Sequence, residues 1–239
     1  MKTKIKPISL SVFFPAYNEE ENIGIVLNNA VSVISKITSD YEIIVVDDGS
    51  KDKTSGIVKG FCKRNHKIRL IKHIKNKGYG AALKTGFENS IKNLIFYTDA
   101  DLQFDLSDIN GLLKYINQYD LVVGFRVNRN DPIMRLFAAY VYRLIVRYFL
   151  GVNVKDPDCA FKLCRKHVID MVRPFECARG ADAELLVKAK KYGFTIKQGG
   201  VKHLPRLRGK SEAATLFNII KPRIVYLMLK ETLKLKKMK

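Results

Sequence analysis

Five short runs of β-branched and aromatic residues, at Ser9–Phe14, Tyr41–Asp47, Ile68–Ile74, Leu94–Thr98 and Leu121–Phe125, recur along the first half of this 239-residue chain. Most are too continuously apolar to have one wet face, which predicts parallel strands buried on both faces. The segments between them carry helical spacing. Over Asn22–Ile37, the residues Ile23, Val26, Leu27, Ala30, Ile34 and Ile37 recur at helical intervals, and weaker helical stretches occupy Thr54–Arg64, Gly80–Ser90 and Leu106–Gln118. The alternation restricts the fold to α/β, with a mostly parallel central sheet and helices on both faces. Such sheets bind ligands beyond the carboxyl ends of their strands. Those ends are Pro15-Ala16-Tyr17-Asn18-Glu19, Asp47-Asp48-Gly49-Ser50, Asn76 to Gly80, Asp99-Ala100-Asp101 and Gly124-Phe125-Arg126, and two of them hold paired carboxylates.

At this length a chain hides roughly 70–75% of its unfolded surface, so a full core in one domain with a short appendage is expected. The boundaries read as a main domain over 1–212, containing an amphipathic, interfacial helix over 133–152, and a basic amphipathic tail over 213–239. Cys62, Cys159, Cys164 and Cys177 form no C-x-x-C pair and do not cluster with His66, His73, His167 or His203. Reduced thiols in the cytosol are expected rather than a zinc site or a disulfide framework. The N-terminal apolar stretch runs directly into Pro15 and Glu19-Glu20-Glu21, which does not read as a cleaved signal. The most apolar segment, Ile133 to Val152, carries Arg135, Arg143 and Arg147, and is therefore not read as a membrane span.

Two nucleotide fingerprints fail. Gly78-Tyr79-Gly80-Ala81-Ala82-Leu83 lacks the third glycine of G-x-G-x-x-G, and Leu204 stands where a Walker A loop ending in Gly209-Lys210-Ser211 needs its first glycine. The strongest motif is Asp99-Ala100-Asp101, two carboxylates leaving an apolar strand. Alternation aims both to one side, where they repel unless a cation lies between them or one stays protonated. A hard ion, Mg²⁺ or Mn²⁺, that also takes diphosphate oxygens suits that pair; a solvated loop with two surface aspartates is the plainer reading.

Pro15-Ala16-Tyr17-Asn18-Glu19, Val45-Val46-Asp47-Asp48-Gly49-Ser50, Asn76-Lys77-Gly78-Tyr79-Gly80-Ala81-Ala82, Asp99-Ala100-Asp101-Leu102-Gln103 and Asp158-Cys159-Ala160-Phe161-Lys162-Leu163 follow one another in the order seen in glycosyltransferase family 2. Within that family the chain resembles the polyprenyl (dolichyl) phosphate mannosyl- and glucosyltransferases, over about residues 9–211. The resemblance implies a GT-A type nucleotide-diphospho-sugar transferase fold. It implies that Pro15, Tyr17, Glu19, Val46 and Asp48 hold the base and ribose. Asp99, Ala100, Asp101 and Gln103 would hold the diphosphate, with Asp99, Asp101 and Gln103 on the metal. Arg126 would face the sugar or phosphates, although Phe125 replaces a usually small residue. Lys162, Arg206, Arg208 and Ser211 would form a cationic wall for the diphosphate and the acceptor phosphate, with Ala160 standing where the family usually has glycine.

The chemistry follows independently. Breaking a sugar C–O bond to a nucleoside diphosphate builds negative charge on the leaving group, which a metal and Lys/Arg stabilise, and in-line attack inverts the anomeric centre. A phosphate acceptor is already ionised near pH 7 and needs no base; a hydroxyl acceptor needs one, for which Asp182 is the candidate beside Glu184. These two acids also suit a plain role in the first turn of a helix over Ala181–Tyr192. The expected activity is therefore metal-dependent, inverting transfer of mannose or glucose, from GDP-mannose or UDP-glucose, to a polyprenyl phosphate. The alternatives are a hydroxyl acceptor with Asp182 as base, or a non-catalytic basic binding module.

Lys and Arg number 43 against 23 Asp and Glu, a net charge of +20. The arginine-bearing apolar segment and the tail fit helices lying on an anionic leaflet, the alternative being a core helix with snorkelling arginines. Basic residues interleaved with aliphatics, and no nucleic-acid motif, argue against a nucleic-acid partner. The expected location is cytoplasmic, peripheral to the cytosolic membrane face, which leaves room for a membrane partner subunit.

Overall fold

The computed structural model describes residues 8–127, 133–173, 175–178, 180–206, 208 and 230–237. Its centre is a seven-stranded sheet. The strands are β1 (Ser9–Ala16), β2 (Asp40–Asp47), β3 (Ile68–Lys72), β4 (Leu94–Thr98), β5 (Leu121–Val127), β6 (Phe161–Arg165) and β7 (Ile196–Lys202). They lie in the order β3-β2-β1-β4-β6-β5-β7. All pairings are parallel except those of β6, which runs antiparallel to β4 and β5.

The uninterrupted apolar runs have the expected cause. Along β1, Leu10, Val12 and Phe14 enter one core while Phe13 enters the other; β2 divides Ile43 and Val45 from Ile44 and Val46, and β4 divides Leu94 and Phe96 from Ile95 and Tyr97. Both faces are covered by helices: α1 (Ile23–Ile37), α2 (Thr54–Arg64), α3 (Tyr79–Asn89), α4 (Ile109–Leu113), α5 (Ile133–Tyr148), α6 (Lys166–Val172) and α7 (Ala181–Lys191). In α1 the buried residues are Ile23, Val26, Leu27, Ala30 and Ile34, five of the six positions that its spacing picks out, while Ile37 at its end is only partly buried.

Three expectations about elements change. The stretch Leu106–Gln118 holds a short 3₁₀ turn over Leu106–Asp108 and then the five-residue α4, because the Asp105 side chain caps Ser107 and Asn110-Gly111 weaken helix continuation. Strand β3 stops at Lys72, leaving Ile74 fully exposed. Helix α7 is buried from Ala181 to Ala189, so Asp182, Glu184 and Lys188 lie inside rather than on a wet first turn. Glu184 accepts hydrogen bonds from the Glu176 and Cys177 amides and pairs with Lys188 at 2.6 Å.

Helix α5 is unusual in the opposite sense. Val146 is its one buried residue. Ile133 is 83% and Phe137 62% exposed, with Met134, Tyr140 and Val141 also outward. Two of its arginines lie over its own tyrosine rings, Arg143 on Tyr140 and Arg147 on Tyr148. Among the described residues no helix is long and apolar enough to cross a membrane.

Of the expected tail, residues 230–237 are helical and docked. Leu235 is buried in the same core as Val146 and Phe175, Lys234 pairs with Glu176 at 2.5 Å, and Glu231 accepts from the amides of Ala178 and Gly180. Segment 176–180 in turn lies against α3. A Cβ on Gly80 would stand 2.1 Å from the Cys177 carbonyl oxygen, so only glycine permits the approach.

Candidate active site

The parallel strands deliver their carboxyl ends to one edge of the sheet, and antiparallel β6 begins at that edge. Its lead-in loop, Asp156 to Ala160, therefore joins the same rim as the loops after β1, β2, β4 and β5.

At the β1–β2 end the backbone is laced together. Asn18 adopts a left-handed conformation (φ 53°), its amide donates to Ser50 Oγ and its side chain accepts from the Lys51 amide. Gly49 turns the chain at φ 75°, where a Cβ would meet the Lys75 backbone at 2.5 Å. The Asp48 carboxylate accepts from the amides of Lys77 and Gly78 at 2.9 and 2.8 Å and contacts His73 Nδ1 at 2.6 Å. Asp48 is thus committed to tethering the segment that enters α3. The side chains of Val46 and Ala100 lie in the two cores, so of these two residues the rim is offered no side chain. Pro15 is likewise buried, whereas Tyr17 and Glu19 are half-buried at the rim.

Beyond β4 the chain turns through Leu102 (φ 62°), a conformation that costs a branched residue roughly 1–2 kcal/mol. The turn returns the Gln103 amide to Asp101 Oδ1 at 3.1 Å. Gln103 also reaches the Leu204 carbonyl, joining this loop to the one after β7. From that loop Arg206 reaches Glu19 at 2.6 Å and Asp101 at 3.6 Å, and its Nε donates to the carbonyl of exposed Arg208. Burial pushes the Glu19 carboxyl up, against the pull of Asn22 and Arg206. Ser211 lies outside the described residues.

Asp99 is buried among like charges. Burial, then Asp101, then Asp182 push its carboxyl well above the ordinary range, with Lys162 pulling the other way. The donor set therefore fits a divalent cation. Two carboxylates converge beside a glutamine, and a positive charge, that of Arg206, already approaches Asp101. No group of three or more His, Cys, Asp or Glu able to hold a metal occurs among the described residues, so an ion at Asp99 and Asp101 would draw further ligands from Gln103 or a bound molecule.

Lys162 is corrected from wall to foundation. It is fully buried, and its ammonium donates to the carbonyls of Cys159 at 2.6 Å and Pro157 at 3.2 Å and to Asp182 Oδ1. All three donors are used, leaving none for an acceptor phosphate. Asp182, 4% exposed, also accepts from the Tyr97 hydroxyl at 2.6 Å. Asp158 stands nearby, its carboxyl pushed up to about 7 by burial and by Asp182 against the pull of Lys162.

Arg126 forms a two-pronged pair with Asp156 at 2.6 and 2.8 Å. The pair lines a cavity of about 290 Å³ together with Phe125, Lys155 and, from α5, Leu136, Tyr140 and Arg143. Three cations against one carboxylate, beside aromatic and aliphatic walls, suit an amphipathic anion.

The structure thus gathers Glu19, Asp99, Asp101, Gln103 and Arg206 in one cluster and Asp99, Lys162 and Asp182 in a second beneath it, with Arg126 in the adjoining cavity. Sequence reasoning gave no role to Tyr79, Tyr97, His73, Asp156 or Asp158. The signal for Tyr79 and Asp158 was their place inside the quoted motifs, and for Tyr97 its place just before one.

The family model for glycosyl transferase family 2 matches residues 11–171. Undecaprenyl-phosphate 4-deoxy-4-formamido-L-arabinose transferase of Pectobacterium atrosepticum is 31% identical over 164 residues, 67% of this chain and 50% of that protein. Human dolichyl-phosphate beta-glucosyltransferase is 31% identical over 174 residues, 64% of this chain and 54% of that protein. The chain spans about half the length of these curated relatives. Among solved structures, glucosyl-3-phosphoglycerate synthase of Mycobacterium tuberculosis, in complex with Mn²⁺, UDP and phosphoglyceric acid, superposes with a TM-score of 0.71 at 18% identity, covering 94% of this chain and 78% of that one. The likeness extends the GT-A type fold over nearly the whole chain.

Proposed function

Since the chain belongs to glycosyl transferase family 2, we propose that it transfers mannose or glucose from a nucleotide sugar, GDP-mannose or UDP-glucose, to a polyprenyl phosphate, with inversion at the anomeric carbon. The observation that carries this is the charge arrangement at the end of β4: Asp99 and Asp101 converge, and Arg206 closes over them from the loop after β7. The two curated relatives point the same way, since their names give undecaprenyl phosphate and dolichyl phosphate as the groups they act on.

In this reading the base and ribose lie against the rim from Pro15 to Glu19 and the end of β2, and the diphosphate against Asp99 to Gln103. Asp99 and Asp101, with Gln103, would hold Mg²⁺ or Mn²⁺, which supplies electrostatic stabilisation of the leaving diphosphate. Arg206, already positioned by Glu19, adds a second positive charge to the same oxygens. The acceptor phosphate lies toward Arg126, Arg143 and Lys155, with its first isoprene units along Phe125, Leu136 and Tyr140. A phosphate monoester attacks in its ionised form, so no base is required. Asp182 is buried and held through Oδ1 by Lys162 and Tyr97, which favours this acceptor over a hydroxyl that would use Asp182 as base. The exposed apolar side chains of α5, interspersed with Arg135, Arg143 and Arg147, fit peripheral association with an anionic leaflet at the cytosolic face.

The test is calorimetric titration of the full chain with UDP and GDP, with and without Mn²⁺, followed by transfer to undecaprenyl phosphate in vesicles. Metal-dependent binding of one nucleotide, lost in Asp101→Ala, together with sugar transfer to the lipid, is expected. Nucleotide binding without lipid transfer favours a hydroxyl acceptor, and binding of neither nucleotide overturns the reading.

A further inference from the structure

Tyr79 presents a group that neither the fold nor the chemistry above uses. It is the first residue of α3, and the segment entering it is fixed on both sides: the Gly78 amide is held by Asp48, and the Gly80 amide donates to the Ala178 carbonyl at 2.9 Å. The ring packs against the core. Its hydroxyl, however, is buried with no hydrogen-bond partner among the described residues. The carboxylates of Asp182 and Asp99 both lie beside it and act on it, but neither closes a well-formed hydrogen bond with it. The other tyrosine beside Asp182 behaves differently, since the Tyr97 hydroxyl donates to Asp182 Oδ1.

A buried hydroxyl without a well-formed partner is a net loss that phenylalanine would avoid, so its presence beside Asp99 and Asp182 points to a partner supplied from outside. Charge decides what kind. Asp99 and Asp182 are the carboxylates that act on this hydroxyl, with the ammonium of Lys162 beside them, which disfavours a second anion and favours a neutral, hydroxyl-rich ligand. Such a ligand can accept from Tyr79 and donate to a carboxylate. Asp182 provides one, because the hydrogen bonds from Tyr97 and Lys162 both fall on its Oδ1.

We propose that Tyr79 Oη and Asp182 Oδ2 together read a ring hydroxyl of the sugar carried by the nucleotide, making Tyr79 a specificity-determining residue. The inference rests on the functional reading above and adds the group that distinguishes the sugar from the nucleotide. It predicts that Tyr79 contributes to affinity for a nucleotide sugar but not for the corresponding nucleoside diphosphate.

The experiment compares the full chain with Tyr79→Phe. It measures thermal unfolding without ligand, and calorimetric affinities in Mn²⁺ for UDP, GDP, UDP-glucose, GDP-mannose and UDP-pentoses. The expected result is unfolding at an equal or higher temperature, unchanged affinity for the diphosphate, and about 5–10-fold weaker binding of the preferred nucleotide sugar, the size of one lost hydrogen bond. Equal nucleotide-sugar binding by both proteins overturns the inference while leaving the functional reading intact. So does a lowered unfolding temperature in Tyr79→Phe with equal losses for diphosphate and sugar, which marks a structural hydroxyl. A wild-type protein that binds the diphosphate but none of these sugars more tightly also overturns it. Failure of the wild type to bind any nucleotide overturns the functional reading first, and the inference with it.

Discussion

Replacing Lys162 by methionine keeps most of the side-chain volume and removes the ammonium, and the structure sets the size of the effect. The residue is fully buried and is the positive partner of a carboxylate that is itself 4% exposed. Without it, Asp182 keeps the Tyr97 hydroxyl but faces Asp99 and Asp158 with no compensating charge, and two buried carbonyls lose a donor. Breaking a buried pair from one side costs about 3–5 kcal/mol. At about 2–4 °C per kcal/mol for a chain of this size, the unfolding midpoint should fall by about 6–20 °C. Urea unfolding of the wild type, Lys162→Met, Asp182→Asn and the double variant completes the cycle. The double variant should be more stable than the sum of the single losses by at least about 2 kcal/mol, because the charge stranded by either single change is gone. A loss below about 1 kcal/mol in Lys162→Met, or strict additivity, refutes the reasoning. It would instead favour a lysine that faces a bound phosphate, which stability measurements without ligand would not detect.

Four further outcomes are expected. Asp158, raised to about 7 in the fold from an ordinary 3.8, binds its proton more tightly in the folded protein than in the unfolded chain. Its contribution to stability is therefore full in acid and is lost as pH rises through about 7, so the unfolding temperature of Asp158→Asn minus that of the wild type should grow between about pH 4 and 7. A flat difference contradicts this. Gly80→Ala drives a methyl group into the Cys177 and Ala178 carbonyls and should cost about 1–3 kcal/mol by chemical denaturation; a neutral substitution would mean that segment 176–180 yields readily. Leu235→Ala should cost about 2–5 kcal/mol, whereas a frayed end would lose nothing. Ile133→Ser with Phe137→Ser, both on the exposed face of α5, should leave the unfolding temperature unchanged and weaken co-sedimentation with anionic liposomes; undiminished sedimentation counts against a membrane role for α5.

Most strands and helices through β5 were legible because the sheet is buried on both faces, and β1, β2 and β4 are then largely apolar, with buried polar exceptions such as the hydrogen-bonded Ser11 and Glu42. Strands β6 and β7 escaped for opposite physical reasons. Phe161–Arg165 is short and holds Lys162, a residue that reads as surface until its three acceptors are seen. Ile196–Lys202 lies at the sheet edge, where Lys197, Gln198 and two glycines are tolerated, so it lacks the apolar continuity used to find the others. The same limit applied in the site. That Asp99 and Asp101 stand together just past the end of β4 follows from their spacing after an apolar strand. That Asp48 would be taken up by the amides of Lys77 and Gly78, or Arg126 by Asp156, depends on how distant loops meet and leaves no local trace in the sequence.

The docked helix at 230–237 has a consequence for the order in which the chain is completed during synthesis. Among the described residues, one of the two cores draws on none later than Val201. The other takes Leu235 as a member, and Glu231 fixes the turn against which Gly80 packs and from which the helix bearing Asp182 departs. A ribosome-bound chain can therefore close one face of its sheet while the face beneath Tyr79 and Asp182 stays unfinished. The cleft reaches its final geometry only when the last of these residues has left the exit tunnel. Until then the nascent protein carries a folded half beside an active site that is not yet assembled.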